Sequence, residues 1–183
     1  MRSQRFHNVF LSFVSRIVHL VCVVVVCFGF LLQAQDVHIR VLNGRNGRPI
    51  KNECLNVWTG LSHGAHMVAG TNQDGIATLH VAEGVIEATI ACPGWPTKAS
   101  GKLNIDGITV SADHYIACQE NGKPIPGQHP VNPIGMMPFY SLRSILQSGV
   151  SSSNECGKFR EKAEPGELIF FVRPRNFWES MRE

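Results

Sequence analysis

From residue 36 to residue 42, Val37, Ile39 and Val41 alternate with His38 and Arg40, a period of two that buries one face of a β-strand. The run ends in Asn43-Gly44-Arg45-Asn46-Gly47-Arg48-Pro49, where two Asn-Gly pairs and a proline suit a turn. A second strand is predicted over 53–59, with Leu55 and Val57 on one face and Cys54, Asn56 and Trp58 on the other. A third, over 66–69, leads into Thr71-Asn72-Gln73-Asp74-Gly75, whose Asp-Gly pair predicts a hairpin with a return strand over 76–81. After Glu83-Gly84, Ile86, Ala88 and Ile90 are expected to face inward and Glu87 and Thr89 outward, until Pro93-Gly94-Trp95-Pro96 stops the pattern. Residues 108–110 and 115–118 read as two further strand pieces.

The stretch 121–138 is rich in Gly and Pro and is read as a long surface loop or a linker with no regular element. Over 141–148 the period changes to that of a helix: Ser141 is the N-cap, Leu142, Ile145 and Leu146 share a face, and Gly149 is the stop. Two turns are too few to hold alone, so this helix must dock its apolar side on the sheet. The last strand, 167–173, reads Leu168-Ile169-Phe170-Phe171-Val172, apolar on both faces, and is therefore expected to be central and covered on both sides. Many short strands and one short helix predict an all-β, antiparallel β-sandwich, immunoglobulin-like or prealbumin-like, over 35–176 with a tail at 177–183. A small open barrel fits the same pattern.

The first 34 residues have a different character. Arg2, Arg5 and Arg16 lie in a segment free of acidic residues, and 17–32 is apolar apart from His19 and Gly29. This is the plan of a secretion signal, and Leu32 and Ala34 occupy the −3 and −1 places of a small-residue cleavage site, so cleavage is expected after Ala34. The alternative is an uncleaved signal anchor, the one route by which the chain would touch a membrane. Cys22 and Cys27 lack the small preceding residue that lipid attachment needs. Of 17 Lys and Arg, three fall in this leader, leaving 14 against 14 Asp and Glu that all follow it. A formally neutral domain with no basic run gives no support for a nucleic-acid partner. Localisation is expected to be secreted, periplasmic or in the cell envelope.

Two motifs in order carry a resemblance. Val41-Leu42-Asn43-Gly44-Arg45-Asn46-Gly47-Arg48-Pro49-Ile50, followed by Leu55-Asn56-Val57 and then Thr71-Asn72-Gln73-Asp74-Gly75-Ile76-Ala77-Thr78-Leu79, resembles the carboxypeptidase regulatory-like, transthyretin-like sandwich domains over residues 36–91. The second half departs from that pattern and looks similar to uncharacterised secreted proteins of acidobacteria. The resemblance implies a prealbumin-like sandwich and no particular chemistry. Transthyretin-like folds include a hydrolase of purine-derived substrates with a C-terminal Tyr-Arg-Gly-Ser signature, and this chain ends in Phe177-Trp178-Glu179-Ser180-Met181-Arg182-Glu183 instead.

Candidate chemistry is sparse. His63 and His66 form a His-x-x-His, but Gly64 and Thr59-Gly60 place them in a loop, and no thiolate or carboxylate cluster supplies a third zinc ligand. They are read as loop histidines, weak candidates for a metal. Asp113-His114 suggests a general base, yet neighbours on a strand point to opposite faces and cannot form a dyad. No Gly-x-Ser-x-Gly elbow occurs, and Ser151-Ser152-Ser153 follows a helix stop as loop serines do. Trp58, Trp95 and Trp178 could stack on a sugar or peptide, though core or edge packing is the commoner use of tryptophan in a small sandwich. The Phe177-Trp178 pair is expected to pack back on the sandwich or on a partner. The reading is a non-enzymatic interaction or structural module that needs no cofactor and meets an unknown protein or glycan of the envelope. The alternatives are a small transthyretin-like hydrolase using His63, His66 or His114, and a signal-anchored envelope protein.

Four cysteines follow the leader, Cys54, Cys92, Cys118 and Cys156, an even number in an oxidising compartment. Cys118 is paired with Cys156, because one bridge would then clamp both ends of the least regular part of the chain. Cys54 and Cys92 are left as the second pair, with a difficulty: Cys92 continues the inward parity of Ile86, Ala88 and Ile90, whereas Cys54 lies opposite Leu55 and Val57.

Overall fold

A computed structural model describes residues 35–60, 64–82, 85–99, 106–119, 128–129 and 138–176. The leader, His63, most of the 121–138 stretch and the Phe177-Trp178 tail lie outside the described residues. The strands, in chain order, are β1 (Gln35–Asn43), β2 (Cys54–Thr59), β3 (His66–Gly70), β4 (Ile76–Ala82), β5 (Val85–Ala88), β6 (Gly107–Ala112), β7 (Tyr115–Ala117), β8 (Gln128–His129), β9 (Phe139–Ser141), β10 (Val150–Ser151) and β11 (Glu167–Pro174). A single helix among the described residues, α1 (Leu142–Ser148), lies between β9 and β10.

The strands form two sheets, one of six strands with the path β10-β11-β1-β4-β5 and β7 also on β11, the other of five in the order β3-β2-β6-β9-β8. This is an all-β sandwich. Its core is fed by alternation from both sides: Val37, Ile39 and Val41 of β1 and Leu168, Phe170 and Val172 of β11 meet Leu55 and Val57 of β2 and Ile108 and Val110 of β6, all essentially fully buried. The helix docks as expected, with Leu142 and Ile145 buried, Ser144 N–H donating to Ser141 Oγ at 3.4 Å and Gly149 N–H donating to Ile145 O.

Five sequence expectations are corrected. The larger sheet is mixed, since β1 pairs β11 in parallel, as does β10, where antiparallel ladders were expected throughout. The Asp74-Gly75 turn forms, with Asn72 Oδ1 accepting from the N–H groups of Asp74 and Ile76 at 2.8 and 2.9 Å, but it joins no hairpin. Its flanking strands β3 and β4 belong to opposite sheets, because turn residues set local φ and ψ and not the ladder each strand joins. Ile90 is 39 % exposed, not inward: the strand ends at Ala88, and the chain crosses to the edge of β3, where Gly70 N–H donates to Ile90 O at 2.8 Å. The 121–138 stretch contains β8, which pairs with β9. Asp113-His114 lies in the bend where the chain crosses from β6 in one sheet to β7 in the other, not on a strand.

Both cysteine pairs are disulfides, Cys118–Cys156 with Cα atoms 5.2 Å apart and Cys54–Cys92 with Cα atoms 5.9 Å apart. The crossing at Ala88 resolves the parity difficulty of the second pair. By leaving the larger sheet before Cys92, the chain brings this cysteine to the edge of the smaller one, beside the outward-facing Cys54.

Candidate functional site

The outward side chains of the smaller sheet are set by the alternation of β2. With Leu55 and Val57 committed to the core, Asn56 and Trp58 must face out, and antiparallel pairing places Val68 and His66 of β3 beside them. Ser111 and Thr109 of β6 flank them on the other side. His66 stacks on Trp58 with ring centroids 5.0 Å apart and planes 26° apart. Trp95 meets the same imidazole edge-on, at 5.8 Å and 90°.

Trp95 reaches this position from a turn. Cys92-Pro93-Gly94-Trp95 closes with Trp95 N–H donating to Cys92 O at 3.1 Å, Pro93 supplies a fixed φ, and Gly94 takes the φ of +82° that side chains avoid. The Cys54–Cys92 disulfide ties the start of that turn to β2. Trp95 is nonetheless 51 % exposed, while Trp58 and His66 are half-buried.

A polar chain runs from His66. His66 Nε2 is 3.1 Å from Asn56 Oδ1, and Asn56 Nδ2 donates to Asp113 Oδ1. A carboxylate cannot donate, so the carboxamide nitrogen must face Asp113 and its oxygen must face the imidazole. His66 therefore carries a proton on Nε2. Partial burial lowers the His66 pKa below its ordinary value and outweighs the attraction of Asp113, which acts to raise it. Next to this chain, the buried Glu53 accepts from His114 N–H at 2.7 Å and faces His114 Nδ1 at 3.1 Å. Asp113 and His114 thus take separate partners in place of each other. Thr109, across the ladder from Trp58, is buried, and its Oγ1 has no hydrogen-bond partner among the described residues.

The cysteines, His66, Asp113, His114, Trp58 and Trp95 are the predicted candidates that can be placed; His66, which opens β3 and is not the loop histidine expected, is brought together with Trp58 and Trp95 and, through Asn56, with Asp113. His63, the other half of the His-x-x-His pair, lies outside the described residues. Among the described residues no three of His, Cys, Asp and Glu converge as a metal site would require. Sequence reasoning missed Asn56, Glu53 and Thr109. The parity of β2 did put Asn56 on the face of Trp58, but its partner is 57 positions away.

The opposite outer face is built differently. Leu42, Ile169 and Phe171 form a second apolar cluster with Cys118 and Ala163, and Phe159 lies across Phe171 at 6.0 Å and 76°. Asn154, buried, donates from Nδ2 to Gly44 O at 2.7 Å and Phe159 O at 2.9 Å, which holds the covering segment down. Arg40 pairs with Glu161 at 2.6 Å and Glu167 at 2.7 Å at the border.

No protein-family model, curated protein or solved structure matches the chain. Two disulfides fit an oxidising compartment.

Proposed function

We propose that the chain is an exported, non-enzymatic binding module whose contact face is the outer side of the smaller sheet around Trp95. The observation that carries this is a half-exposed indole held by a disulfide, a tight turn and an aromatic neighbour. Leaving a large apolar ring in water is unfavourable by roughly 25 cal/mol per Å² of exposed apolar surface, and fixing it there removes the conformational entropy that a partner would otherwise have to overcome. Tryptophans presented in this way are frequent anchors of interfaces. The polar groups around it hydrogen-bond mainly to one another, which suits a scaffold better than an acid–base site. Export rests on the basic, apolar and small-residue succession of the first 34 residues together with the disulfides. The partner is read as a protein or glycan of the cell envelope, with a membrane touched only if the leader is kept.

Co-purification from the native envelope fraction tests the reading, with the tagged wild type compared against Trp95→Ala. Retention of a partner by the wild type and its loss from the variant is the expected result. Equal retention by both moves the contact face elsewhere.

A further inference from the structure

We infer that Gln35 is a site of covalent modification: once the leader is removed after Ala34, the new N-terminus closes on its own side chain to form a pyroglutamyl lactam. This rests on the export and leader cleavage read above and is independent of the Trp95 face. Cleavage turns the backbone nitrogen of Gln35 into a primary amine, and a five-membered ring joins that nitrogen to the carboxamide carbon of the same residue. An α-amino group titrates at about 7.7–8.0, so part of it is unprotonated and nucleophilic at neutral pH. The nitrogen attacks Cδ, the N–Cδ bond forms as the Cδ–Nε2 bond breaks, and Nε2 leaves as ammonia with the proton the amine gives up. No oxidant, reductant or second substrate is consumed.

The fold leaves this reaction open and accommodates its product. Gln35 is the first residue of β1 and is exposed, and it borders an open cleft together with Asp106 and with Leu142 and Leu146 of α1. Its carboxamide is at the surface, free to swing back to the nitrogen without any shift of the strand. The backbone of β1 alternates its partners: His38 N–H donates to Gly166 O on the β11 side, at 2.9 Å, and Val41 N–H donates to Gly75 O on the β4 side, at 2.8 Å. Odd-numbered residues therefore turn their backbone groups to β4, and Gln35 stands opposite Val81 there, so its nitrogen faces the ladder. A lactam nitrogen keeps one hydrogen and carries no charge. Ring closure thus removes the terminal ammonium while a donor still faces Val81, and the strand keeps its first rung.

The test is intact mass and N-terminal sequencing of the exported protein, kept folded and incubated at neutral pH, beside the same protein unfolded in urea and a Gln35→Ala variant. The folded wild type is expected to weigh less than a chain beginning with open Gln35 by the mass of ammonia, about 17 Da. Its sequencing should be blocked until a pyroglutamyl peptidase removes the ring, and should then read Asp36-Val37-His38. Gln35→Ala should show neither the mass loss nor the block, and a block that persists in it overturns the inference. A folded chain that begins at Gln35 and keeps its open side chain, even if it cyclises in urea, overturns the inference while the cleavage stands. A chain that begins elsewhere, or retains Met1, overturns both the inference and the cleavage.

Discussion

On the outer side of β11, Ile169 and Phe171 are as dry as the central core, whereas on the outer side of β2, Trp58 is only half-buried and its neighbour Trp95 is 51 % exposed. Each outer face is fixed by one disulfide, and each disulfide spans 38 residues. The same covalent device thus has two uses. Around Cys118–Cys156 it closes a lid over apolar side chains, with Phe159 and Asn154 completing the seal. Around Cys54–Cys92 it presents an aromatic residue to solvent. One side of the sandwich is sealed, and the other, on which the proposed contact face lies, leaves an aromatic ring in solvent.

That division can be broken most forcefully from the sealed side. Phe171→Ala removes a ring that is 1 % exposed and is expected to destabilise by about 3–5 kcal/mol, read by urea unfolding. A loss below ~1 kcal/mol would mean that the second cluster is not a true core.

Paired replacement of the cysteines comes next. Because both bridges close loops of equal length, Cys118→Ala with Cys156→Ala and Cys54→Ala with Cys92→Ala should each lose about 3.5–4 kcal/mol in the chain-entropy model. Only the second pair should also alter tryptophan emission, since only that bridge anchors the Trp95 turn. A matching emission change from the first pair would erase the distinction between the faces.

Gly47 lies on the sealed side with φ +70°, and an added Cβ would stand 2.5 Å from the Phe159 ring. Gly47→Ala is expected to cost about 1–3 kcal/mol through crowding and backbone strain, and thermal unfolding measures it.

The open side should respond to pH. The pKa of His66 in the folded state lies below its ordinary 6.5, so the folded protein resists protonation that the unfolded chain accepts. Its contribution is fully present above pH 6.5 and is lost as pH falls through the lower, folded-state value. The wild type should therefore lose stability relative to His66→Gln across that interval, and parallel stability curves would refute the burial of this imidazole. Smallest of all, Trp95→Ala should change stability by no more than ~0.5 kcal/mol, because half of the ring is in water already. A larger loss would show that Trp95 is packing and not presentation.

What the sequence made legible follows from the range of the signal. Strands β1, β2 and β11 and helix α1 announce themselves through local periodicity and the Ser141 cap, and the Cys118–Cys156 bridge follows from where the strands end. β9 and β10, of three and two residues, are too short to show any period. The parallel pairing of β1 with β11 depends on residues at opposite ends of the domain, and parity inside each strand says nothing about the partner. The inward reading of Ile90 failed because a period-two pattern continues in the sequence after the backbone has turned to the other sheet. The same limit hid the site. Trp58, Asn56 and His66 stand at readable positions, but the contacts that make them a cluster come from Trp95 and Asp113, which no local pattern connects to them.

The pairing of β1 with β11 also has a consequence for the order of events in folding. β1 leads the described chain and lies in the middle of its sheet, with one edge supplied by β4 and the other by β11. Until Glu167–Pro174 has been made, that second edge is an open row of unpaired amides and carbonyls, beside Val37, Ile39 and Val41 that lack half their cover. A domain closed by its last strand gains little from folding piecemeal, and its high contact order makes the final step slow. Such a chain is expected to lock only when its end arrives, an order of events that would suit the export proposed above.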